Sequence, residues 1–130
     1  MKLNPDCVRD VLLMVESEQS MNANGIVGQI SSDQLLKSAL AEQYSSDDIV
    51  YSCKQLIDNG MLAGKEARMI RNVSYVINDI SPAGHEFLEN IRSNTTWKKT
   101  KEKASKVGSF ALTALSGIAS RIISDAIINS

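Results

Sequence analysis

Few side chains in this sequence are of the types that catalyse reactions or bind metals. His85 is the sole histidine, so a two-histidine metal helix cannot form, and no second histidine is present to orient a Cys and His nucleophile pair. Cys7 and Cys53 lack CxxC spacing and fall in apolar helical patterns, where free cysteine behaves as a small hydrophobe. A P-loop and a Rossmann glycine string are also missing. We therefore expect a protein that is not an enzyme, with no catalytic residues, metal or cofactor.

Basic side chains offer a different chemistry, the neutralisation of phosphates. The net charge of −1 hides a segregation: residues 1–91 carry seven Lys and Arg against thirteen Asp and Glu, whereas residues 92–106 carry six against one. The run "TTWKKTKEKASKVGSF" supplies five lysines: Lys98, Lys99, Lys101, Lys103 and Lys106. Such a concentration fits an anionic partner, but it fits equally well a solvated connector or a complement to the acidic remainder of the chain. Trp97 is expected to anchor this connector on the domain rather than to stack on a base.

Three helices are predicted before the middle of the chain. "NPDCVRDVLLMVESE" begins with Asn4 as N-cap and Pro5 at the first helical position. "SSDQLLKSALAEQ" and "SSDDIVYSCKQLIDNG" predict the second and third helices at residues 33–42 and 46–59, and Ser45 or Ser46 is expected to cap the third helix. The Ser, Asn and Gly-rich stretch between the first two helices predicts a loop with a short strand at Ile26–Ile30.

A β-hairpin and a fourth helix are predicted next. "MLAGKEARMI" and "NVSYVINDI" are typical of two short strands, whose connection carries Lys65, Arg68 and Arg71. Alternation places Tyr75, Ile77 and Asp79 on one side of the second strand and Val76, Asn78 and Ile80 on the other. "SPAGHEFLENIRSN" predicts a helix capped by Ser81, with Phe87, Leu88 and Ile91 facing inward.

This order of elements indicates a mainly α fold with a small β-hairpin. We predict a winged helix-turn-helix core at residues 1–93, followed at residues 94–130 by the basic connector and an amphipathic C-terminal helix. Arg121 and Asp125 in that last helix disfavour a membrane span. Its apolar face is expected to pair two copies as a homodimer, with folding back on the domain as the alternative. The residues of that face are Leu112, Leu115, Ile118, Ala119, Ile122 and Ile123.

Three stretches resemble a known family. "MKLNPDCVRDVLLMVE", "DISPAGHEFLENIR" and "TTWKKTKEKASKVGSF" are similar to the phage and prophage family called domain of unknown function 2513. The similarity covers most of the chain, and "GHEFLENIR" followed by "WKKTKEKA" is its most specific part. More loosely, "LIDNGMLAG" followed by "YVINDISPAGHEFL" resembles the wing region of bacterial winged-helix regulators. The resemblance implies a fold and a mobile-element setting, without an established activity.

Two functional hypotheses follow, and both stay open from the sequence. The preferred one is a cytoplasmic DNA-binding regulator, in which the hairpin cations, the connector lysines and the outward face of the third helix, at Tyr51, Ser52 and Gln55, hold a duplex. The alternative is a protein-interaction module, for example one that binds and inhibits a host protein. Asp47, Asp48 and Asp58 favour the alternative, because carboxylates on the third helix repel phosphates. The reducing cytoplasm is expected because nothing at the start resembles a signal peptide.

Overall fold

The protein is mainly helical and has a small three-stranded antiparallel sheet. The computed structural model describes residues 1–129. The helices are α1 (Pro5–Glu18), α2 (Ser32–Leu36), α3 (Leu40–Gln43), α4 (Ser46–Asp58), α5 (Pro82–Ile91), α6 (Asn94–Val107) and α7 (Leu112–Ile128). The strands are β1 (Ile30–Ser31), β2 (Leu62–Arg68) and β3 (Val73–Ile80), in the spatial order β1-β3-β2. Among residues 1–129, no helix combines the length and the apolar composition that crossing a bilayer requires.

The predicted helix starts are confirmed by their capping bonds. The Asn4 side chain accepts a hydrogen bond from the Cys7 N–H at 3.2 Å, and Pro5 occupies the first helical position. The Ser45 hydroxyl accepts from the third residue of α4 at 3.1 Å, and the Ser81 hydroxyl accepts from Gly84 N–H at 3.0 Å. Each cap satisfies a backbone donor that has no partner within its helix, so the boundaries follow from local chemistry.

The prediction of a single second helix at residues 33–42 is wrong. The chain forms α2 and then α3, with Ser38 between them. The Ser38 hydroxyl donates to the Leu35 carbonyl at 2.6 Å and accepts from the Leu40 N–H at 3.2 Å. Serine side chains compete in this way with the backbone bonds of a helix, and here the competition divides the segment into two short helices.

The predicted hairpin is confirmed, and the predicted first strand is wrong in position. Strands β2 and β3 pair from Leu62 opposite Ile80 to Arg68 opposite Val73. Strand β1 pairs with β3 only through its two residues, so the segment predicted as a strand at Ile26–Ile30 has only an isolated bridge from Val27 to Met21 before its last residue. Beyond β1, the Ser32 hydroxyl accepts the Tyr75 N–H at 2.9 Å. From that point to its turn, the hairpin is a two-stranded projection.

The predicted alternation along β3 fails after Ile77. Gly64 pairs with Ile77 while its neighbour Ala63 pairs with Asp79, which leaves Asn78 as one extra residue in β3. This bulge reverses the alternation, because one inserted residue exchanges the two faces for everything that follows. Asp79 is therefore exposed and Ile80 is buried, the opposite of the predicted arrangement.

One hydrophobic core includes residues from both the predicted winged-helix region and the predicted extension. It contains Val11 and Leu12 of α1, Ile77 of β3 and the inward-facing residues of α5, which confirms the predicted orientation of α5. The same cluster contains Trp97 and Leu115. The two C-terminal helices therefore complete the core in which the first five helices are packed.

Polar contacts of α1 fix the joint between α5 and α6. Arg9 donates from Nε to the Ile91 carbonyl at 2.9 Å and from Nη2 to the Arg92 carbonyl at 2.6 Å. Arg92 in turn forms two hydrogen bonds to the Glu16 carboxylate, at 2.9 and 2.7 Å. These bonds satisfy carbonyls at the end of α5 and set the direction in which α6 starts.

Candidate nucleic-acid interface

The β2–β3 hairpin carries the three predicted cations: Lys65 and Arg68 lie in β2, and Arg71 lies in the turn. The Met69 N–H donates to the Asn72 carbonyl at 2.8 Å, which closes a four-residue turn with Ile70 and Arg71 at its centre. Lys65, Arg68 and Arg71 are all exposed. The hairpin thus presents three positive side chains within seven residues, on an element that is free to approach a large anion.

Two of these three cations have no acidic partner in the described part of the chain. Arg68 bonds through Nε to Glu66 at 2.9 Å, whereas Lys65 and Arg71 form no ion pair within residues 1–129. Lys65 and Arg68 are three residues apart in a strand segment without a bulge, so they lie on opposite faces of the hairpin. The basic side chains therefore lie on both faces of the hairpin, and Arg68 is neutralised by Glu66 on its own face.

The candidate nucleic-acid-binding residues of helix α4 are less accessible than the cations of the hairpin. Tyr51 and Gln55 are half-buried, but Ser52 is only 1% exposed, so its assignment to a nucleic-acid surface is wrong. Ser52 follows Ile49 by three residues and precedes Leu56 by four, which places it on the buried stripe of the helix. The spacing from Ile49 and Leu56 therefore predicts that Ser52 is buried, although its polar side chain suggested an exposed position.

The surroundings of α4 are acidic, and its only lysine is paired. Asp47 and Asp48 lie in the first turn of α4, where they favour the positive end of the helix dipole. The Lys54 ammonium is bonded to Asp58 one turn later. This pairing removes the one cation of α4 that the sequence offered for phosphate contact.

A groove of about 500 Å³ runs along the polar face of α4, and sequence reasoning missed it. Tyr51, Gln55 and Asn59 line one side, while Phe110 and neighbouring residues of the α6–α7 turn line the other. Gly108 ends α6 in a left-handed conformation with φ of 76°, which lets the chain reverse into α7. The Gly108 signal is visible in the sequence, but the contact of this turn with α4 depends on how α6 and α7 pack.

The α6 lysines divide into one structural residue and four exposed residues. Lys101 Nζ lies 2.8 Å from Asp6 Oδ1 and 5.6 Å from the centre of the Trp97 ring. Trp97 is buried and donates from Nε1 to the same Asp6 oxygen at 2.8 Å, which confirms its predicted anchoring role. The exposed lysines, which form no ion pair with residues 1–129, are Lys98, Lys99, Lys103 and Lys106.

Asp6 is held in its charged form by these contacts. Burial alone would raise the pKa of the Asp6 carboxyl, but hydrogen bonds from Lys101 and Trp97 outweigh burial and bring the pKa below the ordinary value of 3.8. Lys101 therefore serves the attachment of α6 to α1, and we do not count it as free for phosphate contact.

The apolar face of α7 is used largely within the chain. Leu112, Leu115 and Ala119 are buried and belong to the core, so α7 folds back on α5 and α6. Ile118, Ile122 and Ile123 are half-buried. Ile122 also lines a second groove, of about 370 Å³, together with Lys99, Lys103 and Lys106. Only this outer half of the predicted pairing face remains for a second copy.

The residues with catalytic chemistry are arranged as ordinary structural groups. Cys7 and Cys53 are fully buried, and burial raises their thiol pKa values to about 11 and about 12, so both are neutral at physiological pH. His85 is exposed in the first turn of α5. Within residues 1–129, no group of three His, Cys, Asp or Glu residues is placed to hold a metal ion.

Fold and surface together define a small, mainly helical protein with an exposed basic β-hairpin. The chain belongs to the family described as "Hypothetical protein (DUF2513)", which matches residues 2–111 and confirms the predicted family. It is 27% identical over 129 residues to an uncharacterized protein of Haemophilus influenzae, an alignment that covers 95% of this chain and 97% of that protein. No solved structure matches the chain.

Proposed function

We propose that this chain is a phage-type or prophage-type winged-helix DNA-binding regulator, non-enzymatic and cytoplasmic, that acts as a homodimer. The element order supports the fold assignment: one helix, a short strand, a helical pair, a longer helix and a hairpin, with the strands in the order β1-β3-β2. In a winged helix, α4 is the recognition helix and the hairpin is the wing. We use the word wing below for residues 62–80.

The observation that carries the proposal is the exposed, unneutralised charge of the wing. Lys65 and Arg71 lack acidic partners within residues 1–129; Lys65 lies opposite Val76, level with the end of β1, and Arg71 lies in the turn of the two-stranded projection. Exposed lysine and arginine side chains contribute little to the stability of a fold. The stability of this fold therefore does not account for the cations at these positions. Phosphate contacts supply most of the affinity of proteins for DNA of arbitrary sequence, and an unpaired cation makes them without first breaking an ion pair.

Helix α4 contributes less to the proposed interface than the wing does. Its residues Tyr51 and Gln55 line the groove beside Phe110, so they would meet bases only where the α6–α7 turn leaves room. Asp47, one turn before Tyr51, adds repulsion of phosphates near the same face. We therefore expect binding with weak sequence preference, dominated by the wing and supported by the exposed α6 lysines.

A duplex titration with matched variants tests the proposal. The wild-type chain should bind a mixed-sequence duplex at about 50 mM salt and lose most of that affinity at about 200 mM, because binding releases counterions. Replacing both Lys65 and Arg71 by Ala should reduce the slope of log affinity against log salt by about 2, whereas Lys37→Ala, at an exposed lysine between α2 and α3, should leave it unchanged. A wild-type chain that retains no duplex at the lower salt would reject the regulator.

The second candidate is the protein-interaction module, and the α4 groove is the observation in its favour. Tyr51 and Phe110 give the groove apolar surface, and Gln55, Asn59 and Lys2 add polar groups that would orient a bound segment. An apolar segment of a host protein would suit such a surface. Complete absence of duplex binding, with the chain correctly folded, would leave this candidate as the better one.

A further inference from the structure

The apex of the wing is apolar, which its folding does not require. Ile70 is 102% exposed and Met69 is 69% exposed, while Arg68 and Arg71 flank them in the chain. Such turns usually contain Gly, Asn, Asp, Pro or Ser, whose conformations suit the reversal. Met and Ile give no such advantage here, and at these exposures they pack against little of the described chain.

Two adjacent aliphatic side chains bracketed by cations are complementary to a particular kind of partner. The partner must present anions at its surface and an apolar interior just behind them. Both duplex DNA and an anionic lipid surface meet this description. The DNA duplex is favoured here because Lys65 and Arg68 lie on opposite faces of the wing, as phosphates lie on both sides of a groove, and Arg68 would exchange its exposed bond to Glu66 for a phosphate.

We infer that the wing enters the minor groove apex first and that Ile70 inserts between two base pairs, bending the duplex. This inference rests on the proposed function and adds a mechanism to it. A minor groove is about 6 Å wide, so only the turn enters it, and the turn presents Ile70 at its centre. Aliphatic wedges of this kind partly unstack one base step, and the bend lets flanking cations reach more phosphates.

A ring-closure experiment detects such bending without knowledge of an operator. A DNA fragment of about 120 base pairs, shorter than the persistence length of about 150 base pairs, is closed slowly by ligase unless a protein bends it. The wild-type chain should accelerate closure at least about tenfold, and Ile70→Ala should remove most of that acceleration while changing affinity for the linear fragment less than about threefold. Because Ile70 is fully exposed, the variant should fold like the wild type.

Matched controls separate this inference from the proposed function. Ile26→Ala removes an exposed isoleucine from the loop before β1 and should leave both binding and ring closure unchanged. Duplex binding without faster ring closure, or with equal acceleration by Ile70→Ala, would overturn the wedge and leave the regulator intact. Ile70-dependent sedimentation with phosphatidylserine vesicles, in a chain that binds no DNA, would overturn both and assign the apex to a membrane surface.

Discussion

At the residue scale, the Asp6 carboxylate determines which lysine of the basic segment attaches α6 to the domain. It accepts hydrogen bonds from Trp97 Nε1 and Lys101 Nζ, both at 2.8 Å, and so joins α1 to α6 across more than ninety residues of sequence. The sequence predicted an anchoring role for Trp97, since a large ring next to charged residues is usually placed for burial. It could not show which of the five lysines is paired, because that depends on the position of an acid far away in the chain.

The Asp6 contacts predict a stability that depends on pH. Because the pKa of Asp6 is lower in the folded chain than its ordinary 3.8, its contribution is complete above that value and is lost as the pH falls through the folded pKa. The same direction holds for Glu16, whose pKa is lowered by its bonds to Arg92. We expect Asp6→Asn to lower the urea midpoint near pH 6 and to lower it by a smaller amount near pH 3, below the ordinary pKa of the carboxyl in the unfolded chain.

A matched exposed residue provides the control for this titration. Glu86→Gln, on the outer face of α5, should shift the urea midpoint little at either pH. If the difference between wild type and Asp6→Asn stays constant between the two pH values, the ionised carboxylate is not what stabilises the attachment of α6.

The elements could be predicted where local chemistry determines them. Caps at Asn4, Ser45 and Ser81 and the apolar stripes of α1, α4 and α5 lie within a few residues of sequence, so the pattern was sufficient. The break at Ser38 and the bulge at Asn78 were not predictable in this way. A helix pattern continues on both sides of Ser38 and does not show that its hydroxyl will compete with the backbone bonds of the helix. Regular alternation exists on both sides of Asn78, and the bulge there depends on the pairing of β3 with β2.

The close contact of α5 with the start of β2 gives a prediction at the element scale. A side chain added at Gly84 would place Cβ 2.0 Å from the Met61 carbonyl oxygen, which already accepts the Ser81 N–H at 3.1 Å and cannot readily move. We expect Gly84→Ala to destabilise the fold by about 1–3 kcal/mol or more in urea unfolding, despite the better helix propensity of Ala.

Gly117 in α7 is the matched control, because no atom lies within 4 Å of the position of its added Cβ. Gly117→Ala should stabilise the chain by about 0.5–1 kcal/mol through helix propensity alone. Equal effects of the two substitutions would mean that the contact between α5 and β2 is looser than described.

The position of α7 determines how the whole molecule can associate. Since Leu112, Leu115 and Ala119 complete the core, removing α7 would expose core residues and would not test pairing cleanly. The amphipathic pattern predicted the helix but not which surface covers it, because folding back and pairing demand the same stripe. The same long-range packing brings Phe110 beside α4, which is why the groove could not be predicted.

The outer half of the α7 face is where we expect two copies to meet. Light scattering should give about twice the chain mass of 14.2 kDa for the wild type and the single mass for Ile122→Asp, because a buried charge between copies is unfavourable. Ser120→Asp, at an exposed position of α7, should leave the dimer unchanged. A wild-type chain with the single mass, or an Ile122→Asp variant that remains dimeric, would exclude pairing through this face.

The most direct test of the DNA-binding proposal is an NMR titration of the isotope-labelled chain with a short mixed-sequence duplex at low salt. We expect the largest amide shift changes in the wing, at residues 65–71, with smaller changes along α6 at residues 98–106 and none at α2. Changes confined to α4, or an unchanged wing at a duplex excess, would contradict the claim that unpaired cations of the wing bind DNA.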